Sequence, residues 1–432
     1  MEEKSDLRVG REKPQVSGDF GEGNSSRLWR AVLANLLLLG CSIVLSLSAA
    51  ELLLRQYFPI ENTILRLDPR YLHRFKPNSR QISRLSPANG EKKLLIEINS
   101  EGRRGDPVSM SRPRVLVYGD SFIASMYSPI KETFVWQLEQ KLKGTLEPAP
   151  QVVNCGVHGY GPDQESLVLE DEIDRLKPQL VIVAIYSGND FGDLLRDKIY
   201  KLDDQMQLMD NQFTIDSSLV RYFATADHKP RLYTYRLLWN AWRQMTQHQD
   251  PPKVPTSEEY MEKALLDSRE EYEDYIIKRD NSVRNLLEDH YDADVSLTPK
   301  SDSSRYKRIL MDRVIEKMQR ITAARSVPLM LVIIPAAIDV VDDYTVAADT
   351  SKYPEYRRSE LTDVVEAIAR QHQLPNVNLF KSFREHGASS LYFVVDNDHW
   401  NAAGQQFAAG LIADYIKQQH LLDPQADRFQ GP

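Results

Sequence analysis

Between Ala31 and Ala50 the chain reads AVLANLLLLGCSIVLSLSAA, 20 residues without a charge. As an α-helix such a run extends about 30 Å, the thickness of a bilayer's hydrocarbon core. Asn35, Ser42, Ser46 and Ser48 dilute it, yet a helix this apolar on every side is unusual in a soluble core, so the run reads as one transmembrane anchor. Arg27 and Arg30 precede it while Glu51 and Arg55 follow, an asymmetry that favours a cytoplasmic N-terminus. The C-terminal part is then periplasmic or extracellular. Ser48, Ala49 and Ala50 offer small residues to a signal peptidase, but the run exceeds the roughly 7 to 15 apolar residues of a cleaved signal, which favours a retained, single-pass anchor.

The rest of the 432-residue chain is long enough to bury a core unaided by disulfides or metals. With 54 Lys and Arg against 62 Asp and Glu, the net charge of −8 argues against a general nucleic-acid binder, which needs cations to displace counterions from phosphates. The two cysteines, Cys41 and Cys155, stand far apart and form no C-x-x-C or Cys/His ligand spacing. Neither a zinc finger nor a redox motif is expected, and no cofactor or metal is implied. Oligomeric state is left open.

Residues 1–30 carry six charges of each sign without apolar periodicity and read as a flexible tail. Residues 51–99 are basic and interrupted by Pro59, Pro69, Pro77 and Pro87, as a connector from membrane to globular body would be. The body spans 100–420, followed by a C-terminal tail at 421–432. Within it, Val115–Tyr118, Gln151–Val153, Leu180–Tyr186 and Leu329–Ile334 are nearly continuous apolar runs, the pattern of strands covered on both faces. Helical periodicity falls at Thr133–Lys143, Gln164–Leu176, Arg305–Arg325, Ser359–Gln371 and Ala402–Gln418. The order predicts an α/β fold: a parallel sheet with helices on both faces and functional residues at the carboxyl ends of strands.

The charged interval 196–304 breaks this rhythm and reads as a helical insertion. In it Met261, Leu265, Tyr272, Ile276, Val283 and Leu287 follow an 11-residue repeat that keeps one stripe on one helix face, most simply for packing. Tyr235, Trp239 and Trp242, at i, i+4 and i+7, can stack on sugar rings, although a core position is the commoner use of such a triplet.

Four stretches carry chemistry. The first strand runs into Gly119-Asp120-Ser121-Phe122, which puts a hydroxyl where a nucleophile is needed, though a serine there is more often a helix cap. After the second strand comes Asn154-Cys155-Gly156-Val157-His158-Gly159-Tyr160-Gly161, whose glycines permit a backbone N–H to approach a developing oxyanion. The third strand ends in Ser187-Gly188-Asn189-Asp190, where Asn189 can add a side-chain N–H or cap the next helix. Leu391–Val395 precedes Asp396-Asn397-Asp398-His399, a carboxylate three residues before an imidazole. A serine needs a base, and the base is better oriented by a carboxylate on its other nitrogen. His399 and Asp396 supply both; Asp398 qualifies by proximity alone. A metal held by Asp396, Asp398 and His399 lacks a second ligand cluster.

Together GDSF at 119–122, NCGVHG ending at Gly159, SGND with Asn189 and DNDH at 396–399 resemble the SGNH, or GDSL-like, hydrolase superfamily. Individually short, they are specific in their order and in their spread over most of 114–418. The resemblance implies a flavodoxin-like three-layer α/β/α fold and ester hydrolysis through an acyl-serine. It assigns Ser121 as nucleophile and oxyanion donor, Gly159 and Asn189 as further donors, His399 as base and Asp396 as orienting acid. Phe122 replaces the family's usual leucine, which can reshape the pocket, and the insertion is atypical. Asn99-Ser100-Glu101-Gly102-Arg103 resembles an approach segment of membrane-anchored bacterial members. The expectation is a membrane-anchored serine esterase of the cell envelope acting on an ester such as an O-acetylated carbohydrate. An O-acyltransferase acting on an envelope polysaccharide, and a non-catalytic envelope assembly protein, are the alternatives.

Overall fold

The computed structural model describes residues 22–57, 63–86, 89–90, 92–228, 232–235, 238–239, 242, 256–393 and 398–423. The chain divides into two compact units, one from residues 1–58 with 232–248, the other from 59–231 with 249–432.

The first unit is built on helix α1 (Glu22–Tyr57), which begins inside the stretch expected to be a tail. Within its segment Arg27–Gln56 an 18-residue window has a mean hydropathy of 2.2 and no buried residue, so the helix is long and apolar enough to cross a membrane. Cys41 lies exposed on it as a free thiol.

The second unit holds a five-stranded parallel sheet of β1 (Arg114–Tyr118), β2 (Gln151–Asn154), β3 (Leu180–Tyr186), β4 (Leu329–Ile334) and β5 (Asn376–Asn378) in the order β5-β4-β3-β1-β2. This is the flavodoxin-like order, with its reversal between β1 and β3. The register sets Val115 beside Leu180 and Leu329 beside Val181. Every residue of β1, β3 and β4 is buried, which is why those strands read as unbroken apolar runs. Because the chain steps one way from β1 to β2 and the other way thereafter, right-handed crossovers send its helices to opposite faces. Helix α2 (Phe134–Leu142) packs with α8 (Ala402–Gln418); α3 (Pro162–Leu176) packs with α6 (Asp302–Ala323), which also meets α7 (Glu360–Gln371).

Two regions of this unit differ from the sequence expectation. The connector is not irregular: antiparallel pairs Leu65–Asp68 with Leu72–Phe75 and Arg80–Arg84 with Lys93–Glu97 bury Leu72, Phe75 and Ile96 in the main core. The insertion is not all helical. Besides α4 (Asp190–Asp197) at its start and α5 (Ser257–Tyr272), it contains an antiparallel pair, Tyr200–Leu202 with Leu208–Asp210, and a parallel pair, Thr214–Ile215 with Ser282–Val283. The expected 11-residue stripe therefore leaves the helix: α5 passes into a π-turn at Glu273–Ile277, and Val283 sits in a strand. The insertion is bolted to the sheet layer by charge. Lys307 on α6 lies fully buried between Asp292 and Asp294 at 2.8 and 2.9 Å, and Arg196 on α4 reaches Glu271 at 3.0 Å.

Candidate active site

At the carboxyl end of β1 the chain turns through Gly119 and Asp120 into a single helical turn, Ser121–Ala124. The cap of that turn is Asp120, whose carboxylate accepts the Phe122 N–H at 2.9 Å, so Ser121 is left free of capping duty. The turn is held on three sides. Asn154 at the end of β2 donates to the Ile123 carbonyl at 2.9 Å while accepting from the Gly156 N–H at 3.0 Å. The Arg104 guanidinium donates to the carbonyls of Ala124 at 3.1 Å, Ser128 at 2.5 Å and Ser125. A Cβ on Gly156 would stand 2.7 Å from both the Ala124 nitrogen and the Ile123 Cβ, so only glycine lets the second strand's loop approach the serine turn this closely.

His399 comes from the opposite end of the sequence, just ahead of α8, whose first turn Asn401 caps by accepting from Ala403 and Gly404. Its Nε2 lies 2.7 Å from the Ser121 Oγ. Its Nδ1 lies 3.1 Å from Asp398 Oδ1, and Asp398 Oδ2 accepts the Tyr186 hydroxyl at 2.6 Å. Asp396, the acid expected from the sequence, lies outside the described residues. Burial opposes a charged imidazole, but the hydrogen bond and charge of Asp398, helped by Asp120 and Asp289, outweigh it and raise the His399 pKa. The same pairing, against burial, holds the Asp398 carboxyl down at about 2. Asp120 behaves oppositely: burial pushes its carboxyl up to about 7 although His399 pulls it down. The Ser121 hydroxyl therefore faces two acceptors, Asp120 Oδ2 at 3.3 Å and the closer imidazole. An imidazole so placed can take a hydroxyl proton.

Asn189 begins α4 but its side chain caps nothing, and its Oδ1 is buried without a partner among the described residues. The capping role weighed for Asn189 is thus not the one it has here. The Ser121 and Gly159 N–H groups likewise donate to no group among the described residues. Gly159 takes φ +75°, and a Cβ there would lie 2.6 Å from the Leu286 carbonyl oxygen. That conformation requires glycine.

Ser121, Asn189 and Asp398 line one cavity of about 250 Å³; Gly159 is not among its lining residues. The sheet contributes Tyr186 and the loop after β4 contributes Ala336, Ala337 and Ile338. The remaining wall was not anticipated from sequence: Tyr260, Asp289, His290 and Tyr291 come from the insertion, and Tyr344 from the loop beyond. Only the 11-residue stripe had marked this stretch, and it pointed to packing. His290 is fixed by the Glu271 carboxylate at 2.9 Å, and the Tyr291 hydroxyl donates to Asp339 at 2.9 Å. Among the described residues no group of three or more His, Cys, Asp or Glu is arranged to hold a metal ion.

Residues 291–431 match the family model described as SGNH hydrolase-like domain, acetyltransferase AlgX. No curated protein matches the chain. Among solved structures, an α/β hydrolase from the metagenome of Lake Arreo, Spain, is 14% identical, covering 72% of this chain and 97% of its own, with a TM-score of 0.33. A lipase/acylhydrolase from Enterococcus faecalis is 13% identical over 71% of this chain and 96% of its own, with a TM-score of 0.31. An acetyl xylan esterase, 10% identical, covers 71% and 98%, with a TM-score of 0.33.

Proposed function

We propose that this chain, whose residues 291–431 match an SGNH hydrolase-like domain, is a membrane-anchored enzyme that moves an acyl group from an ester through Ser121. The observation that carries this reading is the 2.7 Å approach of His399 Nε2 to the Ser121 Oγ, backed by a carboxylate on the other nitrogen. His399 takes the hydroxyl proton as Ser121 attacks the ester carbonyl. The Ser121 N–H and the Asn189 amide, both from residues lining the cavity, receive the oxyanion, joined by the Gly159 N–H in the role the resemblance implies; neither backbone donor has another partner among the described residues. His399 then returns its proton to the departing alkoxide, leaving an acyl-serine. An incoming hydroxyl, deprotonated by the same imidazole, attacks that ester, and Ser121 recovers its proton as the acyl group leaves. The imidazolium formed on the way is stabilised by Asp396, the acid implied by the resemblance, and by Asp398, which stands against Nδ1.

A cavity of about 250 Å³ is smaller than the roughly 300 to 1,000 Å³ of sites for drug-sized ligands, which favours a short acyl group such as acetyl. Water as acceptor makes the protein an esterase; a carbohydrate hydroxyl makes it an O-acyltransferase. The matching family's description as an acetyltransferase favours the second, with an envelope polysaccharide as acceptor. The arginines before the apolar run favour a catalytic body outside the cytoplasm.

The test uses detergent-solubilised full-length protein. A fluorophosphonate probe should label the wild type and not Ser121→Ala. Retention of labelling and full turnover by Ser121→Ala would overturn the assignment. Acyl release to water measured beside transfer to added polysaccharide separates the two acceptors, and absence of any Ser121-dependent turnover on an aryl acetate would leave only a binding role.

A further inference from the structure

Within the first unit, Leu232, Tyr235, Leu238, Trp239 and Trp242 are 51, 51, 64, 46 and 49% exposed. Residues 233–235, 238–239 and 242 are helical, and a spacing of three and four puts Tyr235, Leu238, Trp239 and Trp242 on one face, with Leu232 just ahead of it. The rings form a continuous strip: Tyr235 and Trp239 have centroids 6.3 Å and planes 16° apart, and Trp239 and Trp242 have centroids 4.9 Å apart. Such a face in water is costly, and large exposed apolar strips mark an interaction surface.

What lies against it is indicated by its attachment. The Glu51 carboxylate accepts the backbone N–H groups of Tyr233 at 3.1 Å and Thr234 at 3.0 Å, and the Thr234 hydroxyl at 2.9 Å. Glu51 directly follows the uncharged run 31–50, so it marks the level at which a spanning helix leaves the hydrocarbon. A segment 182 residues further along the chain is thereby tied to α1 at that level. Tryptophan and tyrosine concentrate at the headgroup boundary, where an apolar ring body meets a polar edge. The surrounding sequence is cationic: residues 228–249 contain Lys229, Arg231, Arg236 and Arg243 and no Asp or Glu. Anionic lipid headgroups complement that charge.

We propose that the 232–242 segment is an interfacial membrane anchor, lying along the bilayer that α1 spans with Leu232, Tyr235, Leu238, Trp239 and Trp242 in the headgroup–acyl boundary. The proposal rests on the reading of α1 as a spanning helix. It makes the chain's membrane attachment twofold, a crossing helix and a surface segment joined through Glu51.

The experiment reconstitutes the full chain in vesicles of phosphatidylethanolamine and phosphatidylglycerol doped with lipid brominated at acyl carbons near the headgroup. Tryptophan emission is compared for the wild type, Trp239→Phe/Trp242→Phe and Trp29→Phe. The emission removed by the double substitution should be quenched by bromolipid and shielded from aqueous iodide, so the double variant loses part of the wild-type bromolipid quenching. Trp29, at the other end of α1, reports insertion of the helix itself. If Trp29-dependent quenching persists while emission from Trp239 and Trp242 ignores bromolipid, the interfacial anchor is wrong. This holds whether iodide reaches those rings, as for a solvated face, or fails to, as for a face covered by protein. If neither set responds, the spanning reading fails and takes the proposal with it.

Discussion

Phe122 lies stacked on the imidazole of His399, with ring centroids 4.7 Å and planes 19° apart. The helical turn that presents the Ser121 hydroxyl therefore also supplies the face against which its partner ring rests. Phe122 is itself packed by Tyr186 at 4.4 Å and Trp400 at 5.2 Å, and Tyr127 touches the imidazole from another side at 4.9 Å. The phenylalanine that stands where the resemblance implies a leucine thus bears on the base more than on the pocket wall. Phe122→Leu keeps an apolar side chain of nearly similar size and should cost less than about 1.5 kcal/mol in stability. Without the flat platform the imidazole samples more orientations, so fluorophosphonate labelling should slow while the unfolding midpoint stays close to wild type. An unchanged labelling rate would show that the stacking packs the core without positioning the base.

Asn189 gives a sharper energetic test. If its amide meets the oxyanion only as charge develops, Asn189→Ala should lower kcat by about 100- to 1,000-fold, equivalent to about 2.7 to 4 kcal/mol, with little change in KM. Its side chain caps nothing, so stability should hardly move. A large rise in KM at constant kcat on an aryl acetate would instead make it a substrate-binding group.

How much of this was legible follows from where the information sits. Strands β1, β3 and β4 were readable because both faces are buried, and α8 because its periodic face packs on α2. Strand β5 was not, since Asn376, Val377 and Asn378 sit half-buried at the sheet edge, where nothing demands an apolar run. The connector hairpins were hidden by prolines in their loops, although Leu72 and Phe75 belong to the main core. Ser121 and His399, 278 residues apart, could be paired by resemblance, because each follows a recognisable short pattern. Tyr260, Asp289 and His290 share the cavity with Ser121 through tertiary packing alone, and no local periodicity encodes which loop will form a wall. Tyr235, Trp239 and Trp242, read most simply as core, are exposed.

The buried acids around the sheet make stability depend on pH. Burial pushes the carboxyls of Asp120, Asp163 and Asp339 up to about 7, and those of Glu165, Asp190, Asp193 and Asp197 well above their usual range. Folded pKa values above the unfolded ones mean that the native chain holds protons the unfolded chain releases between about pH 4 and 7, so stability falls as pH rises through that window. The unfolding midpoint of the detergent-solubilised protein should be lower at about pH 8 than at about pH 5.5. Both carboxyl oxygens of Glu165 lack partners among the described residues, so Glu165→Gln removes one contributor and should narrow the difference. A midpoint that rises between these pH values would contradict the burial of these groups in protonated form.

Asp398 and Asp396 can be told apart by the pH dependence of turnover. His399 must be neutral to accept the serine proton, so activity falls as pH drops through its pKa. Asp398 raises that pKa by its hydrogen bond and charge, with Asp120 and Asp289 adding to the effect. Asp398→Asn removes the largest of these supports and should move the acidic limb of the kcat/KM profile to lower pH, in the direction of the burial that already disfavours the charged ring. Asp396→Asn, by the role the resemblance implies, should lower kcat by roughly 10,000-fold, because the imidazole loses the acid that fixes its tautomer. The two effects differ in kind: a displaced limb with moderate turnover loss for Asp398, a collapsed rate for Asp396. If Asp398→Asn instead produces the collapse and Asp396→Asn is nearly silent, the carboxylate 3.1 Å from Nδ1 is the orienting acid, and the acid three residues ahead of His399 is not.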